Sequence, residues 1–167
     1  MIAYLARSAF DLDNPRAEDI DLEDTATSLS RLFRWRGSVP VSVAEHSVFM
    51  AREASSVNVA RGCLVHDLPE AMLGDIPSPL RAWSPEYEEA EARVMACVAE
   101  RFNLTLPFPA EVRRLDLRAR RSEVEQFLTD ALPAVRWLRP LTTPLEGWSS
   151  ARARREFLIE CKRQGVA

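Results

Sequence analysis

Apolar positions along the chain recur at the spacing of helices. Leu22, Ala26, Leu29, Leu32 and Phe33 follow a first turn rich in acids, which predicts an amphipathic helix over 21–34. Its end delivers Arg31, Arg34, Trp35 and Arg36 together, and Gly37 and Pro40 then break the pattern. Ser42-Val-Ala-Glu45 spells a capping box, so a second helix is expected from Val43 to about Ser55, with His46 in its first turn. Asn58 is the expected cap of a third helix, which carries His66 and Asp67. Pro69 deletes a backbone hydrogen bond and crowds the carbonyl of Val65, so a kink or a fresh helix start is expected there.

Ser84-Pro85 sets a cap and a first-turn proline for a long helix reaching Phe102. After the loop Leu106-Pro-Phe-Pro109, Pro109 starts another helix through Val112, Leu115, Val124 and Phe127 to about Leu132, with Asp116 early in it. Pro133, Pro140 and Pro144 space out a loosely structured stretch before a last helix, Ser149 to Arg163, that ends at Gly165. Met1 to Leu12 reads as an extended lead-in of two small strands, turned by Asp13-Asn14-Pro15. Alternation of period two is almost missing elsewhere. The expectation is an all-α compact helical bundle with a short extended N-terminal segment, one domain over 1–167.

Composition changes this picture in three respects. With 167 residues and 47% hydrophobic, the chain can bury a real core. Its 22 basic and 25 acidic residues, net −3, argue against a broad footprint for DNA or RNA duplexes, although a local cluster can still hold a small anion. Lys162 is the only lysine, and arginine forks suit phosphate and carboxylate. Cys63, Cys97 and Cys161 form no disulfide or zinc-finger spacing, and no signal peptide or membrane-crossing run is evident, so a soluble, cytoplasmic protein is expected.

The chemistry concentrates between Cys63 and Leu80. On a helix Glu70 follows His66 by four residues and Asp67 by three, so all three can point into one cavity. A lone histidine on a helix is more often structural than a ligand. Two imidazoles with two carboxylates, however, make a borderline-hard site for manganese, cobalt, iron, zinc or magnesium. His46 is the other histidine, and Asp116, flanked by Leu115 and Leu117, is the best candidate for the missing carboxylate. Its bland alternative is a solvated partner of Arg113 or Arg120.

The order His46, His66-Asp67, Glu70, Gly74-Asp75-Ile-Pro77, Asp116 resembles the HD-domain metal-dependent phosphohydrolases. The likeness is greatest to the small nucleotidase branch and its phage members. It runs from about Asp13 to Ser122, some two thirds of the chain, and includes Leu29-Ser-Arg-Leu-Phe-Arg34-Trp35 and Ser42-Val-Ala-Glu45-His46-Ser47. The resemblance implies an all-α bundle around one divalent ion held by His46, His66, Asp67 and Asp116, with a second magnesium ion able to arrive with a triphosphate. It implies that Glu70 handles protons near the attacking water and that Asp75 orients that water or helps protonate the leaving oxygen. Arg34 matches a phosphate-binding arginine, Trp35 the aromatic that packs on sugar or base, and Pro79 a wall of the base pocket. Relatives usually carry a helix former at the place of Pro69, which bears on the placement of Glu70.

The resemblance implies a deoxynucleotide substrate. The first expectation is a dNTP triphosphohydrolase acting on dATP, because the short chain and its opening segment look most like the phage branch; the alternative is a 5′-deoxynucleotidase acting on dNMPs. A non-catalytic nucleotide-binding regulator and a hydrolase of signalling nucleotides are further readings. Relatives are commonly oligomeric, so a homo-oligomer is expected.

Overall fold

The computed structural model describes residues 1–81, 83–128 and 137–166. Strands β1 (Ile2–Tyr4) and β2 (Ala9–Asp11) pair antiparallel, Ala3 opposite Phe10, as a small hairpin. Helices follow: α1 (Leu22–Leu29), α2 (Val43–Arg52), α3 (Val57–Val65), α4 (Glu70–Leu73), α5 (Ser78–Arg81), α6 (Pro85–Arg101), α7 (Ala110–Phe127) and α8 (Ser150–Gln164). The fold is all-α, as the periodicity predicts, and none of the described helices is long and apolar enough to cross a membrane.

The bundle is organised around α2. Every residue from Val43 to Ala51 is buried, because α1, α3, α7 and α8 all pack against this helix. A helix enclosed on all sides is normally apolar all round. This one carries Glu45, His46 and Ser47 fully buried, and those polar groups must find partners inside the protein. Around it Leu29, Phe49, Leu64, Leu115 and Phe157 belong to one buried cluster.

Helix ends follow the caps with some differences. Asp21 accepts from the amide of Asp24 and opens α1. The helix stops at Leu29 and not at Arg34, because Trp35 and Arg36 adopt positive φ of 56° and Phe33 bridges to Ser42 in extended form. Ser42 caps α2 as expected by accepting from the Glu45 amide at 3.2 Å, but the Glu45 side chain does not complete the box. Its carboxylate instead accepts from the amides of Glu146, Gly147 and Trp148 at 2.9, 2.9 and 2.7 Å, pinning the approach to α8 onto α2. Ser56, not Asn58, caps α3, since the amide of Val59 meets its hydroxyl. Pro69 stands at the head of α4 with helical dihedrals, a new start as its missing N–H allows. Gly165 closes α8 with φ 71°, the left-handed end that glycine tolerates. The expected extension of α7 to Leu132, and Pro133, lie outside the described residues.

Candidate metal centre and cleft

Two helices and one turn bring the site together. His46 comes from the first turn of α2, His66 and Asp67 from the turn that follows α3, and Asp116 from α7. Ligand atoms of His46, His66 and Asp116 lie within 4.8 Å of one another. His46 Nε2 is 3.2 Å from Asp116 Oδ1, and His66 Nε2 is 3.1 Å from Asp67 Oδ2. Asp67 Oδ2 also sits 4.0 Å from His46 Nε2 and 3.3 Å from Arg34 Nη1, so it is shared between the imidazoles and an arginine and stands outside the mutual spacing of the other three.

Each imidazole is oriented through its other nitrogen. His46 Nδ1 meets Glu123 Oε1 at 2.6 Å, and His66 Nδ1 meets the carbonyl of Cys63 at 2.8 Å. With those bonds made, both Nε2 atoms turn inward, buried and without a hydrogen-bond partner. An orphaned buried imidazole nitrogen is costly unless something binds it. Two of them facing Asp116 make a nitrogen-and-oxygen donor set that fits one divalent cation, with the outward bonds fixing the tautomer as in known metal sites.

Charge around these ligands is arranged accordingly. Burial acts against the charged forms, but His66, Arg34 and His46 hold the Asp67 carboxyl far below its usual range. Burial likewise opposes ionisation of Asp116, yet the close approach of His46 Nε2 and attraction to both histidines bring it down to about 2. Burial would lower the basicity of His66, and Asp67 reverses that, leaving it raised.

Glu123 went unremarked in the sequence. It is wholly buried on α7 and gathers three groups: His46 Nδ1, Trp35 Nε1 at 2.6 Å, and Arg34 Nε at 2.7 Å. Arg34 and Trp35 are thereby held beside the metal ligands, with Arg34 reaching Asp67 and coming within 4.0 Å of Asp116. A signal was there: Glu123 follows Asp116 by two helical turns, on the same face of one helix.

Glu70 is buried in the first turn of α4, its Oε2 without a hydrogen-bond partner. Burial, then the nearby Asp67 and Asp75, push its carboxyl up to about 10, so it keeps its proton at neutral pH. Asp75 follows Gly74, which turns the chain at φ 84°. The side chain of Pro79 lies outside the described residues. Beside the ligands opens a cleft of roughly 640 Å³, lined by His66, Asp67, Arg81 and Glu91 together with apolar groups including Met95 and Phe108.

Residues 34–115, from the phosphate-binding candidate to the residue before Asp116, match a family described as HD domain. An uncharacterized protein of Rhodobacter capsulatus is 34% identical over 138 residues, 74% of this chain and 70% of that protein. The chain belongs to the HD-domain family. The uncharacterized protein YfdR of Escherichia coli K12 is similar as well, 33% identical over 110 residues, 65% of this chain and 61% of that protein. HD domains are generally metal-dependent hydrolases, and the facing histidines and aspartates described above are the feature such chemistry requires.

Proposed function

We propose that this HD domain is a metal-dependent phosphohydrolase acting on deoxynucleotides, in the first place a dNTP triphosphohydrolase that takes dATP. The observation that carries the reading is the pair of buried, unbonded Nε2 atoms of His46 and His66 facing Asp116 beside an open cleft. His46, His66, Asp67 and Asp116 would hold one divalent ion, which would set positive charge against the phosphoryl oxygens and lower the pKa of water there.

The chain's own groups supply the rest. Arg34, paired with Glu123, would stabilise charge that accumulates on the transferred phosphoryl group, a contribution worth roughly two to three orders of magnitude in rate. Glu70, buried beside Asp67 and Asp75, would handle protons near the attacking water, worth about 10²–10⁴-fold. Asp75 raises the proton affinity of Glu70 and would orient that water or help protonate the leaving oxygen. Trp35, tied to Glu123 through its indole, offers a ring face to sugar or base. The preference for dNTP over dNMP rests on the likeness of the opening segment to the phage branch, because the cleft has room for either. A homo-oligomer working in a reducing cytoplasm fits the same reading.

The test is direct. Purified protein with manganese or cobalt should release triphosphate from dATP, and Asp67→Ala should abolish turnover. Orthophosphate released from dNMPs alone would reverse the order of substrates, and nucleotide binding with no hydrolysis in either protein would favour a regulator.

A further inference from the structure

Three arginines reach the acids of this site: Arg120 comes within 3.9 Å of Asp116 on its own helix, and Arg34 and Arg81 approach from elsewhere, in different places. Arg34 has a side chain only 8% exposed, and its guanidinium is shared among Asp67, Asp116 and Glu123. Arg81, at the end of α5, is 28% exposed and lines the cleft beside His66 and Asp67. Among the described residues of that lining it is the one arginine or lysine, facing Asp67, Glu88 and Glu91.

That imbalance matters for any phosphate-bearing ligand. Carboxylates repel an anion entering the cleft, and only a cation exposed to the same space can offset them. Arg81 is also held ready. Its Nη1 and Nη2 donate to Glu91 at 2.8 and 2.5 Å, and its guanidinium carbon lies 5.4 Å from the centre of the Tyr87 ring. Tyr87 is itself anchored, its hydroxyl donating to the carbonyl of Gly74 at 2.9 Å. The bonds to Glu91 use two of the five N–H groups of the fork, so the others remain to grip a second partner without disturbing the first. Nη2 already approaches the buried Glu70 to 3.8 Å, which places the fork next to the group expected to move a proton.

Resting on the phosphohydrolase reading, we propose that Arg81 is a substrate-binding residue: the N–H groups that Glu91 does not use contact the phosphate of a nucleotide bound in this cleft. Glu91 is the positioning residue that aims the fork.

The experiment compares wild type, Arg81→Gln and Arg81→Lys in the manganese-loaded protein. Binding of deoxyadenosine and of the non-hydrolysable methylenephosphonate analogue of dAMP is measured by calorimetry, alongside kcat and KM for dATP and dAMP. Arg81→Gln should weaken the phosphonate about 10–100-fold and change deoxyadenosine by less than about twofold, with Arg81→Lys recovering part of the loss. Equal weakening of both ligands, or of neither, would overturn the assignment, as would a wild-type protein that binds the phosphonate no better than the nucleoside. Should Arg81→Gln not fold, Arg81→Lys decides: an unchanged ratio of phosphonate to nucleoside affinity sinks the proposal. A wild type that binds the phosphonate through Arg81 yet hydrolyses no nucleotide would refute the proposed activity and leave this site standing.

Discussion

Replacing Glu123 by glutamine tests how the metal centre is supported. The carboxylate is fully buried and receives His46 Nδ1 and Trp35 Nε1 at 2.6 Å, with Arg34 Nε at 2.7 Å. Burial alone would raise its pKa, but Arg34 and His46 hold it down at about 2, against an ordinary value of 4.5. At 1.36 kcal/mol per unit, that depression corresponds to about 3 kcal/mol favouring the folded, ionised state. Independent measurements on broken buried pairs give a similar range, roughly 3–5 kcal/mol. Glutamine keeps the shape but loses the charge, and its NH2 must face one of three donors. The metal-free variant should therefore melt roughly 6–12 °C below wild type, since 1 kcal/mol moves a chain of this size by about 2–4 °C. Freed from its partner, His46 should also cost about 10–100-fold in manganese affinity. Circular dichroism on heating and calorimetric titration with manganese check the two numbers. The sign with pH is fixed as well: a depressed carboxyl stabilises above its unfolded pKa, so the gap between the two proteins should close as the pH falls from 4.5 toward 2. An E123Q protein with wild-type melting temperature and metal affinity would refute the idea that this carboxylate orders the site.

Other consequences are equally concrete. Glu70 binds its proton more tightly folded than unfolded, so the metal-free protein should lose stability steadily as the pH rises from 4.5 toward 10; Glu70→Gln should flatten that slope in denaturant titrations at several pH values. Gly62→Ala puts a Cβ 2.8 Å from Val112 Cγ2, where α3 meets α7. The gain in helix propensity, about 1 kcal/mol, is outweighed by overpacking of about 1–3 kcal/mol, so urea midpoints should fall, and a rise would show that the helices part without cost. Glu45→Ala strips three backbone amides of their acceptor and should lower stability by about 3 kcal/mol or more in the same assay.

What the sequence made legible was local. Ser42, Pro85 and Gly165 mark helix ends through chemistry contained in a few neighbouring residues, and their helices begin and end there. The gathering of His46, His66 and Asp116 was expected through the family resemblance, with Asp116 a candidate because Leu115 and Leu117 flank it. Glu45 shows where such reasoning stops. Its spacing from Ser42 fits a capping box, yet a loop a hundred residues later offers three amides and wins the carboxylate, a tertiary contact invisible to local pattern. The early end of α1 has the same origin: Trp35 and Arg36 take left-handed dihedrals that sequence disfavours, and Glu123 holds both Trp35 and the neighbouring Arg34. Arg81 and Glu91 were likewise hidden, because nothing along the chain announces that the end of a one-turn helix meets the middle of α6 over the cleft.

The enclosure of α2 has a further outcome for how the protein comes apart. His46 sits one turn into a helix sheathed by four others and tethered at Glu45 to the segment before α8. Such a ligand has no private way of working loose. The amides of α2 should be among the last to exchange with solvent, with or without an ion at the site.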